Sequence, residues 1–206
     1  MIDKTVEYKS IVMLMDADKV MTTPAPLLPQ GFSFRLFCGE EDIEHWCRIE
    51  TSVQEFDNPA EAKEYFMSEF YPYMDEMKKR CAFVLNSDMV PIATATGWYS
   101  RSIIPNRLHW VAVCPEYQGL GLGKAVSQKA INLCAMLAPN QPMWLSTQTQ
   151  SARAVGMYHK LGFNMVKSGM DLEEEDAYVR DYDRAIEILG GLLDLRVVES
   201  LRELSV

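Results

Sequence analysis

The spacing of hydrophobic positions changes several times along the chain, and each change predicts an element. FSFRLF, Phe32 to Phe37, alternates well enough for a strand. From Glu40 to Phe56 the period becomes helical, with Ile43, Trp46, Cys47, Ile49, Glu50 and Val53 recurring on one side. Asn58 and Pro59 then reset the chain as an N-cap and a first helical residue, opening a helix that runs to about Arg80 with a kink near Pro72. CAFVL, PIATATGWY and RLHWVAV, starting at Cys81, Pro91 and Arg107, are β-rich runs separated by turn-like segments, which predicts an antiparallel meander. Beyond them the rhythm alternates: a helix over Leu122 to Leu137, a strand from Met143 to Thr147, a helix over Ala152 to Leu161 and a strand from Phe163 to Val166. The pattern predicts a mixed α/β (α+β) domain over residues 31–169, with helices covering a central sheet.

The two ends read differently. Residues 1–30 hold one apolar run, Ile11 to Met15, followed by Pro24, Pro26 and Pro29, and are expected to form an arm. Residues 170–206 form an acidic, mostly helical C-terminal extension. Tyr182, Ile186, Leu189, Leu193, Val197, Leu201 and Leu204 make an apolar stripe there, with Gly190 and Gly191 as a break point. That stripe must be buried against the core or in a homodimer interface. No strand is evident between Gly169 and the helix.

Composition narrows the class. A chain of 206 residues, 48% hydrophobic and 24% charged, fits one domain with appendages and excludes a disordered or collagen-like protein. The net charge of −9 opposes an extended nucleic-acid or anionic-membrane surface and leaves a small cationic partner unopposed. Asp171 to Glu203 carries eleven acids and four bases, so most of that charge belongs to the extension. Five widely spaced cysteines among apolar neighbours, with no signal-like N-terminus or apolar span of about eighteen residues, lead us to expect a reduced, cytoplasmic protein. His45, His109 and His159 fall into no metal-ligand spacing, and no metal is expected.

The sharpest chemical signal is VAVCPEYQGLGLGKAV, Val111 to Val126: a strand, a short turn, then Gly119, Gly121 and Gly123 where a helix must begin. Glycines there let a backbone approach an anion, toward which the unpaired amides of a first helical turn point. The alternative is that they merely permit close packing of strand on helix. The segment is not a nucleotide-binding P-loop, because Gln118 and Ala125 occupy its defining positions, and Lys124 breaks the dinucleotide fingerprint.

On these residues the chain resembles the GCN5-related N-acetyltransferase superfamily (GNAT), with Gln118, Gly121 and Gly123 meeting the core of its acetyl-CoA signature. SARAVGMYHKLGF, Ser151 to Phe163, resembles a second segment of the same family through Ala154, Tyr158, Leu161, Gly162 and Phe163. The resemblance implies a central, mostly antiparallel mixed sheet flanked by helices, and acetyl-CoA as cosubstrate. It implies that the backbone of Gln118, Gly119, Leu120, Gly121, Leu122, Gly123 and Lys124 holds the pyrophosphate. Val111, Ala112 and Val113 would then bind the pantetheine arm, with Ser151, Ala154 and Tyr158 on the helix flanking the cofactor.

The expected activity is transfer of an acetyl group to a primary amine of a small molecule or peptide. The other reading is an acyl-CoA-binding regulatory module without turnover. Tyr158 matches the family tyrosine that protonates or hydrogen-bonds the departing thiolate, though a packing aromatic is the other reading of it. His109 lies two residues before Val111, on the same strand face if no bulge intervenes, and suits a direct or water-relayed base. A histidine satisfied by strand neighbours is the alternative. Where histone-type members carry a glutamate, this chain has Arg107. Glu50, Glu55, Phe56, Phe70, Tyr71 and Tyr73 could form an acidic, aromatic mouth for an amine, or a solvated face over an aromatic core.

Overall fold

The computed structural model describes residues 2–99, 104–167 and 182–205. Its strands are β1 (Ser10–Met15), β2 (Ser33–Leu36), β3 (Cys81–Leu85), β4 (Pro91–Tyr99), β5 (Asn106–Val113), β6 (Met143–Gln148) and β7 (Asn164–Met165). The helices are α1 (Ala17–Met21), α2 (Glu41–Ser52), α3 (Pro59–Glu69), α4 (Met74–Arg80), α5 (Leu122–Leu137), α6 (Ala152–Leu161), α7 (Tyr182–Gly190) and α8 (Leu195–Glu203). The fold is mixed α/β, and its seven strands hydrogen-bond in the order β2-β3-β4-β5-β6-β1-β7. Antiparallel pairs join β2 to β3, β3 to β4, β6 to β1 and β1 to β7, whereas β5 and β6 are parallel. Backbone contacts divide the chain into two compact units, one of residues 24–98 and 108–137, the other of residues 2–23, 99–107 and the chain from 138 onward.

In the first unit one face of β3 and β4 meets an aromatic core. Phe37 stacks between Phe66 and Phe83, while Trp46 of α2 lies 5.2 Å from Phe66 and 5.7 Å from Phe70, centroid to centroid. The opposite face meets α5 at Gly97. A Cβ there would lie 2.6 Å from Cys134 Sγ and 2.7 Å from the Ala130 carbonyl oxygen, so only glycine admits the helix this close. The Asn58 side chain accepts from the amides of Ala60 and Glu61, capping α3 with Pro59 in its first turn as expected. Arg35 donates both terminal nitrogens to Asp42 at 2.7 Å, and the Cys38 amide donates to the same carboxylate, which ties β2 to the start of α2.

Two expected helices are shorter than their hydrophobic pattern. The helix expected to Phe56 stops at Ser52, because Gln54 takes a left-handed φ of 69° and turns the chain. Phe56 then leaves the helix axis and stacks on Trp110 at 5.1 Å. The expected kink at Pro72 is a full break: a single 3₁₀ turn, Tyr71–Tyr73, separates α3 from α4.

In the second unit the expected N-terminal arm contributes a sheet strand. β1 pairs with β6 from Ser10↔Gln148 to Met15↔Met143 and takes β7 on its other edge, with Ile11, Val12, Met13 and Met15 buried. The Lys9 and Thr149 backbones are joined through the Thr149 hydroxyl and amide, and Gln150 donates to the Val6 carbonyl, extending the attachment beyond the strand. The apolar stripe of the extension divides at Gly190 into α7 and α8, which pack against each other and against β1, α6 and β7. The acidic stretch Asp171 to Asp176, and the segment after Gly169 in which no strand was expected, lie outside the described residues.

Candidate active site

The glycine turn is built from backbone geometry. After β5 a 3₁₀ turn, Pro115–Tyr117, leads to Gln118, whose Nε2 donates to the Val113 carbonyl at 2.9 Å and ties the turn to the strand end. Gly119 and Gly121 follow with φ of 82° and 80°, conformations that L side chains rarely adopt. A Cβ at either position would meet nothing within 4 Å, so close packing of strand on helix is not what they serve. The first intrahelical bond of α5 runs from the Ala125 amide to the Gly121 carbonyl at 3.1 Å. The amides of Leu122, Gly123 and Lys124 therefore precede the helical ladder, at the positive end of a sixteen-residue helix. Gly119, Leu120, Gly121 and Lys124 are exposed, so the backbone of the turn is open to an anion.

The strand before the turn departs from regular alternation. Trp110 has φ 50°, a left-handed conformation that costs a bulky side chain about 1–3 kcal/mol. It is held by rings from three directions: Trp46 at 5.4 Å, Phe56 at 5.1 Å and Tyr65 at 5.0 Å. β5 runs unbroken from Asn106 to Val113, but the left-handed φ of Trp110 departs from the extended backbone that would place His109 and Val111 on one face. The His109 ring lies beside Phe70 at 6.1 Å and Trp110 at 5.3 Å. Val111 and Val113 are half-buried and Ala112 is buried.

The residues grouped as an amine mouth separate. Phe56 and Phe70 are core residues, Tyr71 and Tyr73 are exposed, and the Tyr71 hydroxyl donates to Glu40. Glu50 is 0% exposed and neither carboxyl oxygen has a hydrogen-bond partner among the described residues. Burial, reinforced by the charge of Glu55, pushes its pKa well above the ordinary carboxylate range. The signal for this was its helical phase with Trp46, Cys47 and Val53, which placed it on the core side of α2.

In the second unit Ser151, Ala154 and Tyr158 follow three- and four-residue spacing along the start and one side of α6. Tyr158 is 7% exposed and meets Phe163 edge-on at 6.1 Å. Gly162, at φ 110°, ends the helix, with its amide donating to the His159 carbonyl and that of Phe163 to the Tyr158 carbonyl. His159 is structural: Nδ1 meets the Phe163 carbonyl at 3.2 Å and Nε2 the Ser200 hydroxyl at 2.9 Å, joining α6 to α8. Arg107 lies over the Trp144 ring at 4.4 Å and donates to the Ser146 hydroxyl.

A sequence model of the acetyltransferase (GNAT) family matches residues 43–163, more than half of the chain. The chain belongs to the GNAT family of acetyltransferases. Its fold is similar to a GCN5-related N-acetyltransferase from Sphaerobacter thermophilus, with a TM-score of 0.62 at 20% identity over 78% of this chain and 49% of that one. A GCN5-related N-acetyltransferase from Kribbella flavida gives 0.53 at 17% identity, over 76% and 54% of the two chains. A tandem GNAT protein from the clavulanic acid biosynthesis pathway gives 0.55 at 12%, over 79% and 51%. This GNAT chain thus spans about half the length of these solved structures. No curated protein matches it by sequence.

Within the GNAT domain, the described residues include no group of three or more His, Cys, Asp or Glu gathered as for a metal. No described helix is long and apolar enough to cross a membrane. The five cysteines are free thiols, four of them buried.

Proposed function

We propose that this GNAT domain transfers the acetyl group of acetyl-CoA directly to a primary amine of a small molecule or peptide. The observation that carries the reading is the pair of left-handed glycines, Gly119 and Gly121, with open space where their side chains would be, at the start of α5. A pyrophosphate fits that arrangement: the amides from Gly119 to Lys124 donate to it, the helix dipole favours its charge, and no side chain stands in the way.

Acetyl-CoA supplies the activated acetyl thioester. Val111, Ala112 and Val113 hold the pantetheine arm through their backbone, and the Val111 amide polarises the acetyl carbonyl. Ser151 and Ala154 flank the cofactor, Tyr158 donates a hydrogen bond or proton to the leaving sulfur, and His109 accepts the proton that the nitrogen loses on being acetylated. Arg107 is committed to Trp144 and Ser146 and is not a base.

The test is calorimetric titration with acetyl-CoA followed by thiol release across polyamines, arylalkylamines, amino acids, aminoglycosides and peptide N-termini. Binding with turnover of at least one amine is expected. Binding without turnover of any would identify an acyl-CoA-binding module instead. Tyr158→Phe is expected to keep acetyl-CoA affinity and slow turnover by about tenfold or more, and an unchanged rate would return Tyr158 to packing.

A further inference from the structure

The start of α6 is not set by a cap of its own. Ser151 occupies the N-cap position with φ −107° and ψ 37°, outside the extended conformation from which a serine caps, and its side chain makes no cap hydrogen bond among the described residues. The turn before the helix is held instead by the other end of the chain.

After the last pair of β1 with β6, Ser10↔Gln148, the chain enters a 3₁₀ turn, Thr149–Ser151. Thr149 is 0% exposed. Its hydroxyl donates to the Glu7 carbonyl and accepts from the Lys9 amide at 2.9 Å, while its own amide donates to the Lys9 carbonyl at 3.0 Å. Gln150 is gripped by both ends of a second turn: the Asp3 amide donates to its carbonyl at 2.9 Å, and its Nε2 donates to the Val6 carbonyl at 3.0 Å. That second turn is locally built, since the Val6 amide donates to the Asp3 carbonyl and the Asp3 carboxylate accepts from the amide and hydroxyl of Thr5. The Thr149 hydroxyl thus spends its donor and an acceptor position on backbone groups of residues 3–9, and these fix it more tightly than flexible side chains would.

The far end of α6 is anchored separately. Gly162 closes the helix, and His159 ties it to the Phe163 carbonyl and to Ser200 of α8. Tyr158 lies on that half. Ser151 and Ala154, on the half that begins the helix, depend on residues 3–9.

We propose that Thr149 is a positioning residue for the cofactor: clasped by residues 3–9, it sets the conformation of Ser151 and the course of the first turn of α6, the groups proposed above to flank acetyl-CoA. This rests on the acetyl-CoA reading and adds to it a dependence on chain outside residues 43–163, the part that the family model matches. The physical reason is that a helix start without a side-chain cap takes its geometry from tertiary contacts. A shift of about 1 Å in groups that place a ligand can cost about a hundredfold.

The experiment compares Thr149→Val, which keeps the side-chain shape and loses the hydroxyl, with Thr149→Ser, which keeps the hydroxyl. In calorimetric titration with acetyl-CoA, Thr149→Val is expected to bind about tenfold more weakly and Thr149→Ser within about twofold of wild type. In turnover of the best amine of the panel, the loss should fall on KM for acetyl-CoA with kcat within about twofold, because Tyr158 keeps its anchors. Without any ligand, hydrogen exchange in Thr149→Val should quicken at the amides of residues 155–157, the first to bond within a helix that starts at Ala152, and stay unchanged at residues 159–163. Gln150→Ala should lose about threefold in affinity, and it serves if the valine variant does not fold. Asp194→Ala removes the cap of α8, disturbing another helix start in the same unit, and should leave acetyl-CoA affinity unchanged.

Wild-type affinity in Thr149→Val, a serine variant as weak as the valine one, a loss confined to kcat, or unaltered exchange at residues 155–157 would each overturn the proposal. So would an Asp194→Ala loss as large as that of Thr149→Val or, should the valine variant not fold, wild-type affinity in Gln150→Ala. If wild type itself binds no acetyl-CoA, the cofactor reading fails and this one with it. If wild type binds and Thr149→Val matches it, only the role of Thr149 fails.

Discussion

The glycine turn at 119–121 and the buried face of α2 around Glu50 belong to the same compact unit and are built on opposite principles. The turn is exposed backbone: its proposed binding groups are amides, two of its three residues are glycines, and its shape follows from two φ angles. The α2 face is buried side chain: a carboxyl and two indoles sealed among rings, around a strand residue in a left-handed conformation. The first needs freedom from side chains and the second needs their crowding. Substitutions that confuse the two requirements should therefore fail in different ways.

The largest effect is expected where a glycine serves packing. Gly97→Ala drives a methyl into Cys134 and the α5 backbone and should lower stability by about 3 kcal/mol, read from urea midpoints. Gly121→Ala meets no atoms and should cost about 1–2 kcal/mol through its backbone angle, yet weaken acetyl-CoA binding about tenfold or more in calorimetry. Should Gly97→Ala prove the more damaging to affinity, the division between a packing glycine and one proposed to face the cofactor would be wrong.

On the α2 side the sharper probe is pH. Because the folded-state pKa of Glu50 is raised, folding favours its protonated form. Below the unfolded-state pKa, about 4.3, both states are protonated and Glu50 costs nothing through linkage. As pH rises through that value the unfolded chain ionises first, and wild type loses stability until the folded carboxyl ionises too. Glu50→Gln should therefore be the more stable protein at neutral pH, by a margin that vanishes below about pH 4. The smallest effect concerns neither region: Asn58→Ala removes the cap of α3 and should cost about 1 kcal/mol with acetyl-CoA affinity unchanged.

The contrast also explains what was legible. α5 and α6 begin and end at the residues their periodicity predicts, and Asn58 caps α3 as its type implies, because each is settled within a few residues of chain. The glycine turn was legible for the same reason. The mouth of acidic and aromatic residues was not, since Glu50, Phe56 and Phe70 share a neighbourhood in sequence while their exposure depends on which strand they pack against. The left-handed Trp110 carries no mark in RLHWVAV, and rings from Trp46, Phe56 and Tyr65 hold it there.

By itself the sequence determined the periodic elements, the glycine-led start of α5 and the family resemblance, all of which depend on local backbone preference and short spacing. Tertiary structure alone decided that Ser10–Met15 is an inner strand of the sheet, that Trp110 of β5 takes a left-handed φ, and that Glu50 is fully buried. An apolar run of five residues carries no information about which edge it will pair with. A glutamate one helical turn from a tryptophan becomes an acid with a raised pKa only when distant strands and rings close over it and remove the water.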